Sequence, residues 1–230
     1  MTTTLITGAN KSLGQETARR LIKAGHTVWM SARDPERGQR AANALGGRFL
    51  QLDVTSDTSV ARAAETIAAA GGIDVLINNA GIPGPFSPAE ELTADDALTV
   101  YDTNVFGIIR MVRAFAPILR RSSAPTIVNV TSGLGSFGAV HDPERIAFKI
   151  NAPLYASSKS AVTMLTVQYA RAFPGMRINA ADPGYTATDF NAHSGTQTVQ
   201  EGTDAIVELA TRGGKGPTGT FIDRHGVAPF

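Results

Sequence analysis

Thr3-Thr4-Leu5-Ile6-Thr7-Gly8-Ala9-Asn10-Lys11-Ser12-Leu13-Gly14 is a short apolar run that ends in a glycine-containing turn and opens into a stretch of helical period. The run reads as a strand over Thr3–Thr7, and the pattern after the turn as a helix over Leu13–Ala24 closed by Gly25. In that setting Gly8 and Gly14 let the backbone approach a pyrophosphate, whose charge meets free N–H groups at the helix start. A tight strand-to-helix turn without a ligand has the same appearance. The reading therefore depends on the rest of the chain.

Working outward, short apolar runs keep alternating with longer helical stretches, which predicts an α/β fold with a doubly wound parallel sheet in a single domain over residues 1–230. Strands are expected at Thr27–Ala32, Phe49–Leu52, Asp74–Asn78, Thr126–Val130, Arg177–Ala181 and Thr220–Ile222. Helices are expected at Glu36–Leu45, at Asp57–Ala70 between a Ser56 cap and Gly71-Gly72, at Leu154–Phe173 and at Val199–Thr211. Ala94–Leu119 reads as one long helix or a broken pair. Three segments fall outside the alternation: Gly81–Glu91, Gly133–Pro153 and Asp182–Thr198. All follow strands, and in an open parallel sheet the ligand crevice lies beyond the carboxyl ends of the strands.

Composition narrows the function classes. The 230 residues are 43% hydrophobic and 18% charged with a net charge of +1, and the cations are scattered, so nothing points to nucleic acid or an anionic membrane as partner. A small-molecule substrate is the expectation. Without cysteine there are no disulfides or thiolate metal sites, and His26, His141, His193 and His225 lie too far apart for a local metal motif. No apolar run nears the ~20 residues of a membrane span and the N-terminus lacks a leader pattern, so a soluble cytoplasmic protein is expected.

Chemistry enters with Tyr155 and Lys159, which sit four positions apart in Tyr155-Ala156-Ser157-Ser158-Lys159 and so share a helix face. A free phenol has a pKa near ~10 and is a poor acid or base at neutral pH. An adjacent ammonium is expected to lower it. Alone the pair is weak evidence, since a ring packed beneath a snorkelling amine is common. The end of the second strand bears on the cofactor: Arg33, with Lys11 in the glycine turn, suits a ribose 2′-phosphate, while Asp34 is read as the cap of the following helix rather than a ribose ligand.

Taken in order, these strings resemble the short-chain dehydrogenase/reductase family over nearly the whole chain. The turn Thr7–Gly14, Asp53, Asn78-Asn79-Ala80-Gly81, Asn104, Ser132, Tyr155 with Lys159, and Pro183-Gly184 follow the sequence in which that family carries its motifs. Asn10-Lys11, Ala32-Arg33-Asp34 and Asn104-Val105-Phe106-Gly107 are most similar to NADPH-dependent carbonyl reductases. The resemblance implies catalytic roles for Asn104, Ser132, Tyr155 and Lys159 in reversible hydride transfer between nicotinamide and a carbonyl. Tyr155 would donate the proton, Ser132 would hold the carbonyl oxygen, Lys159 would bind the nicotinamide ribose, and Asn104 would bind a water linking Lys159 to solvent. It further implies NADP(H) binding by Gly8, Asn10, Lys11, Ser12, Leu13, Gly14, Arg33, Asp53, Val54, Asn79, Ala80, Gly81, Pro183, Gly184, Thr186 and Thr188, with Tyr155 and Lys159. Asp53 would accept from the adenine amino group and Thr188 would hold the carboxamide. Phe137, Tyr185 and Phe190 are candidates for the pocket wall.

Two departures from the family pattern stand out. Ser12 occupies the middle glycine position of the turn, where its hydroxyl either crowds the phosphate or donates to it. The connection from Ser132 to Tyr155 is longer than usual, and comparable insertions in carbonyl reductases can cover a subunit contact, which leaves a homo-oligomer open. Rival readings are a same-fold epimerase or dehydratase that uses bound nucleotide, and a nucleotide-sensing module without catalysis. The module would be expected to have lost Tyr155, Lys159 or Ser132.

Overall fold

A computed structural model describes residues 1–230. In chain order the elements are β1 (Thr3–Ile6), α1 (Ser12–Lys23), β2 (Thr27–Ala32), α2 (Pro35–Leu45), β3 (Arg48–Gln51), α3 (Asp57–Ala69), β4 (Val75–Asn78), α4 (Ala94–Tyr101), α5 (Gly107–Leu119), β5 (Thr126–Val130), α6 (Phe137–Val140), α7 (Pro153–Ala172), β6 (Arg177–Ala181), α8 (Val199–Gly202), α9 (Asp204–Thr211), β7 (Phe221–Asp223) and β8 (Gly226–Val227). The eight strands form one sheet in the order β3-β2-β1-β4-β5-β6-β7-β8. All neighbours run parallel except β7 and β8.

Alternating side chains send each strand into two separate cores. Leu5, Leu76 and Ile127 pack with Val60 and Ile67 of α3, Met111, Val112, Phe115 and Leu119 of α5, and Val162 of α7. Their neighbours Ile6, Ile77 and Val128 pack on the other face with Ala18 and Leu21 of α1, Ala41 and Ala42 of α2, and Ile206 and Leu209 of α9. Helices on both faces explain why the strands read as unbroken apolar runs. A side chain such as Phe115, which is 0% exposed, contributes on the order of 2–3 kcal/mol by leaving water.

The helix starts are specified locally. Asp34 accepts from the Arg37 N–H, Ser56 from the Ser59 N–H, and Thr93 with Asp96 forms a reciprocal capping box. Several expected boundaries are corrected. Helix 199–211 is interrupted at Thr203, whose buried hydroxyl donates to the Gln200 carbonyl. The 94–119 segment is continuous but holds a π-turn over Asp102–Phe106. The 133–153 connection contains α6 and short 3₁₀ turns, and β8 was not foreseen because two residues carry no period.

The strand order reverses between β1 and β4, so the crevice opens at their carboxyl ends. The glycine turn and the segments beginning at Gly81, Ser132 and Asp182 all emerge there. No helix is long and apolar enough to cross a membrane, and no cluster of His, Asp or Glu side chains has the grouping to hold a metal ion.

Candidate active site

Gly8 has φ +65°, which suits glycine, and a Cβ on Gly14 would strike the Gly8 carbonyl and stand 2.7 Å from the Asn79 Nδ2. The turn is clamped from β4. Asn79 Nδ2 donates to the carbonyls of Thr7 (2.9 Å) and Gly8 (3.1 Å), and the Thr7 hydroxyl accepts from the N–H groups of Asn79 and Ala80. Ser12 takes φ +47°, a left-handed conformation that costs a residue with a Cβ about 1–2 kcal/mol. It keeps the backbone path of the missing glycine at that expense.

Arg33 is exposed at the end of β2 and enters no ion pair, while Asp34 is committed to capping α2. Lys11 turns toward Asp189 at 3.0 Å, and Asp189 also meets His193 Nε2 at 3.0 Å. One Asp53 oxygen accepts from the N–H and hydroxyl of Thr55, and Val54 packs against Gly107. Asn10 lies in the glycine turn and Leu13 in the first turn of α1, both half-buried.

Lys159 is buried at the base of the crevice, its ammonium 2.9 Å from the Val130 carbonyl and 5.6 Å from the Tyr155 ring centroid. The Ser132 hydroxyl lies beside the Tyr155 phenol and accepts from the Leu134 N–H at 3.2 Å. The structure therefore brings Ser132, Tyr155 and Lys159 together. The expected acidification of the phenol does not hold in the folded chain. Burial pushes Tyr155 well above its ordinary value of 10.0, the Ser132 hydrogen bond offsets part of that rise, and the Asp182 charge adds to it. Burial also pushes Lys159 down from 10.5 to about 8, because one backbone acceptor replaces little of the lost hydration.

Asn104 does not face water as a mid-helix asparagine usually would. It is 1% exposed within the π-turn, and its side chain accepts from the Ile82 N–H (2.8 Å) and donates to the Ile82 carbonyl and the Ser158 hydroxyl, both at 3.0 Å. Gly81 is wedged against it. A Cβ there would stand 3.3 Å from the Asn104 Oδ1 and 3.5 Å from the Lys159 Nζ. Asn104 and the lysine thus flank one glycine.

Beyond β6, Pro183 and Gly184 (φ +67°) make a turn against which the Gln197 side chain packs. Thr186 is buried with its hydroxyl on the Pro183 carbonyl, and Thr188 caps the turn at Asp189–Asn191. Phe190 meets Tyr155 edge-on at 5.3 Å, whereas Tyr185 bonds Ser194 through its hydroxyl and Phe137 is 71% exposed. Asp182 was not singled out from the sequence. Its available signal was a carboxylate immediately before Pro183-Gly184 at the carboxyl end of a strand.

A doubly wound sheet with a glycine turn at its switch point, and a tyrosine, lysine and serine gathered beside it, defines a dinucleotide-type oxidoreductase site. Residues 2–198 match the short chain dehydrogenase family, and the chain belongs to that family, whose members are oxidoreductases that use nicotinamide cofactors. It is 32% identical to a (+)-neomenthol dehydrogenase of Arabidopsis thaliana, with 98% of this chain and 97% of that one covered. It is 36% identical to an NADPH-dependent pterin aldehyde reductase of the same plant, over 81% of this chain and 76% of that one. In three dimensions it is similar to the salutaridine reductase of Papaver somniferum, with a TM-score of 0.83, 25% identity, and 96% and 99% of the two chains covered.

Proposed function

We propose that this chain is an NADP(H)-dependent oxidoreductase that interconverts a carbonyl and an alcohol, with Tyr155 as the proton donor. The observation that carries the reading is the gathering of the Ser132 hydroxyl, the Tyr155 phenol and the Lys159 ammonium at the carboxyl edge of β5, with the ammonium 5.6 Å from the Tyr155 ring centroid and 2.9 Å from the Val130 carbonyl. Bound nicotinamide supplies the hydride. Ser132 donates to the carbonyl oxygen and orients it, and Tyr155 gives that oxygen its proton as carbon is reduced. Lys159 would hold a ribose hydroxyl of the cofactor, and its charge would stabilise the phenolate left behind. Asn104, with a lone pair left on the oxygen that Ile82 uses, holds a water leading from Lys159 outward.

Preference for the phosphorylated cofactor is supported by the free Arg33, by the commitment of Asp34 to its helix cap, and by the NADPH dependence named for the pterin aldehyde relative. An apolar carbonyl substrate is supported by the exposed rings on the segments around the crevice: Phe86, Phe137, Phe148 and Phe190. The relative named for neomenthol has an alicyclic alcohol in its name, consistent with such a lining.

The test is consumption of NADPH with a panel of apolar ketones and aldehydes, read from reduced-nicotinamide absorbance. Tyr155→Phe is expected to abolish turnover while cofactor still quenches intrinsic fluorescence. Turnover that survives this replacement rules out the assigned acid. Arg33→Ala is expected to weaken NADPH about 10- to 100-fold and leave NADH nearly unchanged, the loss of one charge-assisted contact.

A further inference from the structure

The junction between α8 and α9 is held by a chain of charges that begins on α1. Arg20 Nη1 lies 2.8 Å from the Gln200 carbonyl, 2.8 Å from the Thr203 hydroxyl and 2.7 Å from the Asp204 Oδ1. The other Asp204 oxygen faces Arg224 Nη2 at 3.4 Å, and Arg224 Nη1 meets the Glu201 Oε1 at 2.6 Å. Glu201 Oε2 accepts from the N–H and the hydroxyl of Thr198, both at 2.9 Å, which closes the capping box of α8. Arg224, in the turn between β7 and β8, thus bridges α8 and α9 with one guanidinium. Charges joined in series differ from an isolated surface pair, because each holds the next in the geometry its partner needs. The Arg224 guanidinium, with the Thr198 bonds adding, keeps the Glu201 carboxyl down at about 2, so the chain is ionised through neutral pH.

α8 itself backs the crevice. Gly202 is pressed between two residues proposed for the cofactor: a Cβ on it would strike the Thr186 hydroxyl and stand 2.9 Å from the Leu13 Cδ2. Thr186 is met from a second side, since it forms a parallel bridge with Gln197, the residue before the Thr198 cap. Leu13 lies in the first turn of α1, where a pyrophosphate would meet free N–H groups, and Thr186 follows β6, on the side of the switch point that also carries β5 and Ser132. Arg33 and Asp53 follow β2 and β3 on the opposite side, where the adenosine half would lie.

We propose that Arg224 is a positioning residue for the cofactor: through Glu201 and Asp204 it holds α8 against Leu13 and Thr186, so that the nicotinamide half of the site is formed before the cofactor arrives. The inference rests on the reading that the glycine turn and the Pro183-Gly184 turn receive NADP(H). Without Arg224 the carboxylates of Glu201 and Asp204 lose the cation between them, and only Arg20 still ties the junction to α1. α8 then leaves Leu13 and Thr186 for part of the time. A site that is formed for only a fraction of the time binds more weakly by the inverse of that fraction. The adenosine half rests on other elements and does not share the loss.

The experiment is calorimetric binding of NADPH and of adenosine 2′,5′-bisphosphate, which carries the 2′-phosphate but no nicotinamide, at a temperature well below melting. Wild type is compared with Arg224→Gln, Arg224→Lys and Gly202→Ala. Arg224→Gln is expected to weaken NADPH about 3- to 10-fold and to leave the bisphosphate within about twofold, with KM for NADPH rising by the same factor and kcat near that of wild type. Arg224→Lys offers one amine to two carboxylates and is expected to fall between. Gly202→Ala wedges Leu13 from Thr186 with every ion pair kept, and is expected to lose NADPH affinity without losing the bisphosphate. Equal losses for both ligands in Arg224→Gln, or no loss for either, overturn the proposal, as does a Gly202→Ala variant that binds NADPH like wild type. The two claims fail separately: a wild type that does not bind NADPH removes the cofactor reading and this inference with it, whereas a wild type that binds NADPH and is indifferent to Arg224 removes only the role of Arg224.

Discussion

Tyr155 and Lys159 depart from their ordinary pKa values in opposite directions, and the signs can be followed into stability. Lys159 falls to about 8 in the folded chain, so between about 8 and its ordinary 10.5 the unfolded chain binds more protons and stability rises with pH. Its buried ammonium therefore costs the fold about 3 kcal/mol below that window. Tyr155 and Tyr169 are raised by burial, so their contribution is full below 10.0 and declines once the unfolded phenols ionise. Urea midpoints are expected to climb from pH 8 toward pH 10 and then drop, with the climb absent in Lys159→Met. A second expectation concerns Ser12: Ser12→Gly relieves the left-handed strain and is expected to stabilise the fold by about 1 kcal/mol, read by thermal melting. At this scale the spacing of Tyr155 and Lys159 was legible because a helix period converts directly to a shared face. The direction of the phenol's shift was not, because it depends on burial supplied by Phe190 and other segments distant in sequence.

Elements that repeat a period were readable, and those that interrupt one were not. The strands and most helices follow from apolar spacing and from caps at Asp34, Ser56 and Thr93. The π-turn at Asp102–Phe106 left only ambiguity, a long helix or a broken pair. Its cause is lateral: Asn104 bonds both backbone groups of Ile82, and Arg110 reaches back to the Asp102 carboxylate at 2.8 Å. Asn104→Ala removes three hydrogen bonds and leaves the Ile82 N–H and carbonyl without that partner, so a destabilisation of about 2–4 kcal/mol is expected in urea titrations. Asn104→Asp retains the acceptor but not the donor and is expected to fall between. Equal stability of the alanine variant and wild type would show that this turn does not need its asparagine.

Across the whole molecule, the doubly wound parallel sheet and a crevice beyond the carboxyl ends of its strands were anticipated, because parallel strands with helical crossovers allow few arrangements, whereas the strand order itself was not read from the sequence. The contact that joins the two ends of the crevice was not. Lys11, early in the chain, meets Asp189 near its far end, and nothing in the local sequence of either indicates the other. Exposed at 63% and 52%, the pair adds little stability, but Asp189 would compete with a cofactor 2′-phosphate for the Lys11 ammonium. Asp189→Asn is expected to tighten NADPH severalfold relative to NADH at low salt, with the difference shrinking as ionic strength rises. Equilibrium fluorescence titration at two salt concentrations checks both trends.

The two margins of the sheet also govern how this protein behaves in a crowd. One border is the two-residue reversed strand β8, too short to template a visiting chain, and the other, β3, places exposed Arg48 and Gln51 along its rim. Short or charged borders discourage strand addition from a neighbour. Concentrated samples are therefore protected against the edge-to-edge polymerisation that leads to fibres, and lengthening β8 with apolar residues would remove half of that protection.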